Sequence, residues 1–358
     1  MAAPTPFQEL ERLYLLDGFD LILENLKNDF RVFADTYFNR NRTPASHNRF
    51  FERCTPIWLN LVQKRHYFRA IKILNYALGL ALDWQTRNRP NKIHKGTPYY
   101  FLGVTAILNN ELENGFLAMH QAMKEDLKLS RGRTPQAPAF WFITLDSSRQ
   151  NQFFKPKVDQ MADYLSKKLE EYSMGRGGSL TLPNFRSKFL SRRKLKDEVF
   201  FLVYLLFKIR KLLDETPKIY KKNIFSSLLH ARHLFDLCLI SDKAIEYKNP
   251  ARGSRHLSFR DEMLFLSSPS TASLSFNRTG LNTINNDFNS DFGRTMYDIL
   301  LGRYHLSLSS IENDFAVAYG IRNFGAHRIE NQPVVYNRMG ELVQRIFNTL
   351  FFTVERLY

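Results

Sequence analysis

The chain has 358 residues, 44% of them hydrophobic and 24% charged, so it can form two or three domains and bury a large core. That composition excludes an intrinsically disordered chain. A net charge of +16 favours a polyanionic partner, either a nucleic acid or an anionic membrane face.

Three further features predict where the protein acts. No run approaches the roughly 18 apolar residues that a membrane-crossing helix needs. The N-terminal stretch MAAPTPFQELERLYLLDGFD lacks a basic segment followed by an apolar one, so we expect no secretory signal. The two cysteines, Cys54 and Cys238, lie far apart and form no metal-ligand pair. We therefore expect a cytoplasmic protein with no membrane partner.

Hydrophobic periodicity predicts an all-α protein. Apolar residues recur at three- and four-residue spacing, which is typical of helices with one buried face. The predicted helices are 7–37, 50–63, 67–84, 98–109, 113–128, 155–172, 195–214, 217–246, 292–301, 308–325 and 338–357. The best candidate for a strand is the short run FWFITL at 140–145.

A weak internal repeat marks the first part of the chain. Small residues such as Gly103 and Gly115 alternate with large ones across two predicted helices, as in a tetratricopeptide-like hairpin. Ala70, Leu74 and Ala77 repeat the second-helix pattern 45 residues upstream, where that repeat family spaces its units by about 34. We predict a tetratricopeptide-like helical domain at 1–172, with a generic helical bundle as the alternative.

The composition changes at SMGRGGSLTLPNFRS, residues 173–187, where glycines and a proline interrupt the helical pattern. We place a linker at 173–194 and a second domain at 195–358. Residues 184–233 hold 13 Lys or Arg against 4 Asp or Glu, a surplus of nine positive charges. This window either binds a polyanion or forms a solvated helix face. A Ser- and Asn-rich stretch at 247–291 is predicted to be a long loop.

The segment YGIRNFGAHRIE, 319–330, carries the clearest chemical signal. Asn323 and His327 are four residues apart and share one helix face, whereas Arg322 lies about 140° round the helix from His327. A histidine can exchange a proton near neutral pH, and an arginine can bind a phosphate bidentately and offset developing charge. Since no carboxylate cluster with metal-site spacing stands nearby, these residues suit RNA cleavage without a metal or other cofactor.

The pattern RNxxxH, late in the third of four predicted helices, resembles the nuclease members of the HEPN superfamily. The resemblance covers roughly 195–358, with 247–291 as an insertion. It implies a four-helix bundle that forms a homodimer, in which Arg322 and His327 are catalytic and Asn323 supports them. It also implies cleavage that leaves a 2′,3′-cyclic phosphate, by an endoribonuclease acting as a toxin or in bacterial antiphage defence.

Four further residues are candidate RNA contacts. His230, Arg232 and His233 lie on the second predicted helix of the bundle, and Arg328 follows the motif directly. Each has a structural alternative as a core or surface residue, and Arg328 could instead complement the negative end of its helix. The N-terminal helical domain is expected to contact an antitoxin or another defence protein. Two rival functions stay open: a non-catalytic HEPN-like protein that binds RNA or a nucleotide, and a helical scaffold that recruits a partner.

Overall fold

The computed structural model describes residues 4–130, 136–215, 224–252, 257–272, 274–327 and 332–358, and for 215, 224–227 and 324–327 it describes the backbone alone. Every regular element in these ranges is helical, so the predicted all-α class is confirmed. Within the same ranges, no helix combines the length and the apolar character needed to cross a bilayer. The chain forms two compact units, one of Met1–Phe142 with Asp146–Val158 and one of Ile143–Leu145 with Asp159–Tyr358.

The helices before the second unit are mostly short. They are α1 Pro6–Leu13, α2 Phe19–Asn25, α3 Lys27–Arg40, α4 Pro44–Glu52, α5 Thr55–Gln63, α6 Tyr67–Arg87, α7 Gly96–Leu108, α8 Leu112–Leu129 and α9 Pro138–Ile143. The prediction of one long helix at 7–37 is wrong, because three helices occupy it. Gly18 begins α2 with a φ of 74°, a left-handed conformation that glycine adopts without steric cost.

The hairpin of α7 and α8 brings two glycines together. A Cβ atom at Gly103 would lie 2.7 Å from the Cγ atom of Met119, and one at Gly115 would lie 2.5 Å from a side-chain carbon of Ile107. The close approach predicted for the small residues is therefore present. Membership of the tetratricopeptide family stays a prediction.

The predicted strand at 140–145 is wrong, because residues 140–143 end helix α9. Phe140, Phe142 and Ile143 are all buried. A short apolar run of this kind has no polar face, so its periodicity cannot separate a strand from a buried helix.

The helices that follow belong largely or entirely to the second unit. They are α10 Lys155–Arg176, α11 Leu182–Phe185, α12 Lys196–Glu215, α13 Ile224–Glu246, α14 Phe259–Leu266, α15 Arg278–Ser290, α16 Phe292–Leu300, α17 Ser310–His327, α18 Pro333–Asn337 and α19 Met339–Leu357. The predicted linker, 173–194, lies inside this unit and contains α11 and a π-helix at Arg186–Leu190. The division into domains at 1–172 and 195–358 stays a prediction.

Four long helices form the centre of the second unit. Helix α13 packs against α12, α17 and α19, and α17 also packs against α19. The buried face of α19 repeats at three- and four-residue spacing through Leu342, Ile346, Phe347 and Leu350. These helices correspond to the four predicted for the bundle, and their assignment to the HEPN superfamily stays a prediction.

The predicted loop at 247–291 is wrong over much of its length, since it contains α14 and α15. Ser258 and Asp261 form a reciprocal capping box that begins α14, and the side chain of Asn277 accepts a hydrogen bond from the backbone of Gly280 at the start of α15. The serines and asparagines that suggested a loop are therefore partly helix caps. Helices α14 and α15 both pack against α17.

A buried ion network holds the first turns of α17. Asp314 is 0% exposed and accepts hydrogen bonds from Arg176, Arg345 and Asn348, at distances from 2.5 to 2.9 Å. Two positions earlier, the carboxylate of Glu312 accepts hydrogen bonds from the backbone of Ser309 and Ser275. Burial alone would raise the pKa of Glu312, but these hydrogen bonds lower it below its ordinary value.

Candidate functional site at the end of helix α17

The last two turns of α17 carry the RNxxxH residues and lie against two different neighbours. Helix α13 packs on one side and α15 on another. The approach of α15 depends on Gly320, because a Cβ atom there would lie 2.5 Å from the ring of Phe288. Consecutive residues of this segment therefore contact different surroundings.

Arg322 faces α13. Its Nε atom lies 3.6 Å from a carboxylate oxygen of Asp242, and its guanidinium lies 5.0 Å from the ring centroid of Phe235. The separation from Asp242 is too long for a good hydrogen bond but forms an ion pair. The Arg322 side chain is 26% exposed and that of Asp242 is 10% exposed, with the Nε atom itself buried. Asp242 and Phe235 thus contact the guanidinium of Arg322 from α13, and about a quarter of the side chain stays exposed.

The surroundings of Asp242 favour neutral groups. Burial raises the pKa of the Asp242 carboxyl, and the nearby Arg322 charge opposes that rise. Burial likewise raises the pKa of the Cys238 thiol, whose sulfur lies 3.5 Å from the carbonyl oxygen of Ala318. Cys238 is therefore a core thiol and not a nucleophile at neutral pH.

Glu262, on α14, belongs to the same buried region. It is 0% exposed, and only its Oε2 atom has a hydrogen-bond partner, the side-chain amide of Asn249 at 3.2 Å. Burial raises the pKa of Glu262 to about 7, with Asn249 opposing the rise and the negative charge of Asp242 adding to it. The carboxyl groups of Asp242 and Glu262 are therefore both buried, and the negative charge of Asp242 contributes to the raised pKa of Glu262.

The structure brings one of the predicted α13 contacts close to Arg322. Arg232 lies 5.9 Å from the ring centroid of the same Phe235 and pairs with Asp236 at 3.0 Å. Its side chain is 67% exposed, and Arg232 and Arg322 both lie near the ring of Phe235. His230 is 2% exposed and lies in the core, whereas His233 is half-buried.

Asn323 faces away from Arg322, toward α15. Its amide nitrogen donates to the Oδ1 atom of Asn285 at 3.3 Å, and the hydroxyl of Tyr319 donates to the same oxygen at 3.2 Å. These residues line an open cavity of about 320 Å³. Since one residue turns a helix by about 100°, adjacent positions cannot share a partner here.

His327 is the last residue of α17 and lies one turn after Asn323 along the backbone. Its side chain lies outside the described part of the chain, as does all of Arg328. The placement of these two predicted site residues relative to Arg322 therefore stays a prediction.

Sequence reasoning missed Phe235, Asp242 and Asn285. Phe235 and Asp242 are seven residues apart on a predicted helix, so their shared face could have indicated a partner for an arginine. Asn285 lies in TINNDFN, whose polar composition favoured a loop. Among the described residues, no three His, Cys, Asp or Glu side chains come together as metal ligands would.

No protein-family model matches the chain, and no curated protein or solved structure shows significant similarity to it. The resemblance to the HEPN superfamily therefore rests on the RNxxxH motif and on its position in the helix order.

Proposed function

We propose that the protein is a metal-independent endoribonuclease of the HEPN type that acts in the cytoplasm, as a toxin or in bacterial antiphage defence. The observation that carries this proposal is the environment of Arg322. A buried carboxylate and an aromatic ring hold this arginine from one side, and an asparagine beside an open cavity follows it directly. Such a fixed guanidinium suits a phosphate that approaches from solvent.

Arg322 would offset charge on the phosphate. In the proposed reaction the 2′-hydroxyl loses its proton and attacks the adjacent phosphorus, while the bond from phosphorus to the 5′-oxygen breaks. The products are a 2′,3′-cyclic phosphate and a 5′-hydroxyl. Negative charge grows on the phosphoryl oxygens in the transition state, and a preorganised cation stabilises it without reorienting.

His327 would transfer protons. Histidine has an ordinary pKa near neutrality, so it can take the proton of the 2′-hydroxyl or supply one to the leaving 5′-oxygen. One histidine does not do both at once, which agrees with a composite site in which two copies of the chain each supply a motif. The dimer is part of this proposal.

The basic character of the chain supports RNA as the substrate. Of the surplus charge, nine units fall within residues 184–233, which include the exposed Arg232 beside Phe235. Phosphate contacts of this kind give affinity without sequence preference. The helical N-terminal unit would then contact a regulatory protein such as an antitoxin.

Binding without cleavage is the second candidate function. One observation favours it: Arg322 is already paired with Asp242 within the single chain. A protein that only binds RNA would need the cationic surface but not the proton transfer.

The test is cleavage of a 5′-labelled single-stranded RNA by the purified full-length protein in the presence of EDTA, followed by end-group analysis. We expect cleavage to survive EDTA and to give cyclic-phosphate and 5′-hydroxyl ends. The variant His327→Ala should be inactive, whereas His305→Ala, which removes a mostly exposed histidine outside the motif, should keep the wild-type rate. A requirement for Mg²⁺ together with 5′-phosphate products would overturn the proposal.

A further inference from the structure

The cavity beside Asn323 is lined mainly by carboxamides and aromatic rings. It lies between the start of α14, helix α15 and the last turns of α17, and its volume is about 320 Å³. Three carboxamides line it, those of Asn285, Asn289 and Asn323, together with the hydroxyl of Tyr319. Phe259 and Phe288 supply apolar wall. A volume near 300 Å³ is at the lower end for small-ligand sites.

The lining of the cavity is mostly uncharged. None of the described residues that line the cavity is acidic, and Arg260 is the single cation among them. A carboxamide carries both a donor and an acceptor, so three of them fit a neutral group with donors and acceptors along one edge. A nucleobase is such a group, and proteins read unpaired bases of RNA through their edges between apolar walls.

The orientation of Asn285 is set before any ligand arrives. Its Oδ1 atom accepts hydrogen bonds from the hydroxyl of Tyr319 and the amide of Asn323. Its own amino group is then left as a donor for an acceptor on the base. Because the amide is already oriented, binding costs less conformational entropy.

The cavity and the RNxxxH motif share a residue, since Asn323 belongs to both. We infer that the cavity binds one unpaired nucleobase of the RNA substrate and makes cleavage selective for that base; this inference rests on the proposed function. Asn323 then recognises the substrate through Asn285 and does not contact the phosphate.

Binding can be measured apart from cleavage. The experiment titrates AMP, GMP, CMP and UMP separately into the full-length protein by calorimetry, with ribose 5-phosphate as the probe that lacks a base. We expect one nucleotide to bind at least about tenfold tighter than the weakest, since contacts to a base edge discriminate by about that factor or more. Asn285→Ala should abolish the preference.

Two further variants keep the result interpretable if Asn285→Ala loses stability. Asn289 is exposed at the rim, so Asn289→Trp should fill the cavity and weaken nucleotide binding at least about tenfold without opening the core. Asn282 is an exposed asparagine on the same helix that does not line the cavity, and Asn282→Ala should bind like the wild type. Melting temperatures of all variants serve as the folding control.

Cleavage of RNAs that differ at one position then separates the two proposals. Selective binding that depends on Asn285, without any cleavage, would support the base site and overturn the ribonuclease. Cleavage that is equally fast at all four bases in the wild type and in Asn289→Trp would support the ribonuclease and overturn the base site. Equal binding of ribose 5-phosphate and the four nucleotides would also overturn the base site.

Discussion

Buried carboxyl groups lie near both ends of helix α17, but their hydrogen-bonding surroundings differ. Near its start, Glu312 and Asp314 accept hydrogen bonds from backbone, arginine and amide donors, and those to Glu312 lower its pKa. Near its end, Asp242 and Glu262 lie beside few donors, and burial raises the pKa of both.

The difference separates a structural site from a candidate functional one. Asp314 uses both of its oxygens within the fold, so nothing is left for a ligand. Arg322, in contrast, keeps a long ion pair and a partly exposed side chain. Incomplete pairing of this kind costs stability, and proteins tolerate that cost where a substrate completes the pairing.

The largest expected effect on stability comes from a substitution near the start of α17. Asp314→Asn should lower the free energy of unfolding by about 3–5 kcal/mol, because it leaves the largely buried Arg176 and Arg345 without their carboxylate. The control is Asp214→Asn, which removes an Asp–Arg pair whose aspartate is 62% exposed and should cost less than about 1 kcal/mol. Urea unfolding measures the loss of stability in both variants. Equal losses would contradict a structural role for the Asp314 network.

A second prediction concerns the pH dependence of stability. The raised pKa of Glu262 means that the folded state binds this proton more tightly than the unfolded state does. The stability that Glu262 contributes is therefore fully present below pH 4.5, the ordinary pKa of a glutamate, and is lost as the pH rises through about 7. Glu262→Gln should remove that loss and stabilise the protein at pH 8 by up to about 3 kcal/mol relative to the wild type.

Glu312→Gln should instead destabilise the protein at pH 8 relative to the wild type. The pKa of Glu312 is lowered, so its contribution is present above the ordinary value and is lost as the pH falls through the folded value. Urea titrations of the wild type and both variants between pH 4 and pH 8 give the comparison. If Glu262→Gln kept the wild-type pH profile, Glu262 would not be the buried neutral acid that the structure indicates.

A smaller effect on stability is expected from a substitution at the end of α17. Arg322→Ala should lower the melting temperature only by the equivalent of about 1–2 kcal/mol, within the ordinary range for point substitutions. Asp242 is left unpaired, but its pKa is already raised, so it can take up a proton and limit the cost. A loss as large as that of Asp314→Asn would show that Arg322 is mainly structural.

The smallest effect concerns the exposed neighbour of Arg322. Arg232→Ala should weaken RNA binding about equally for all sequences and lower the slope of log affinity against log salt by about 1. Arg294→Ala, which removes an exposed arginine on α16, should leave that slope unchanged. Filter binding at several salt concentrations measures it, and an unchanged slope in Arg232→Ala would remove this residue from the interface.

The sequence predicted the helical class and most long helices, because one-sided apolar spacing is a local signal. The prediction failed at 140–145, where a mostly apolar run carries no clear periodicity, and at 247–291, where capping residues resembled a loop. At the site, spacing placed Asn323 and His327 on one face. It could not show that Arg322 contacts Phe235 and Asp242, since contacts between helices depend on packing and not on local pattern.

We propose that the end of α17 performs catalysis while its start maintains the fold. The most direct measurement is the single-turnover rate of RNA cleavage in EDTA for the wild type, Arg322→Ala and His327→Ala, with melting temperatures for each and His305→Ala and Arg294→Ala as matched controls. We expect folded motif variants whose rates fall by about 10²-fold or more, and controls at the wild-type rate. Folded motif variants that cleave RNA at the wild-type rate would contradict it.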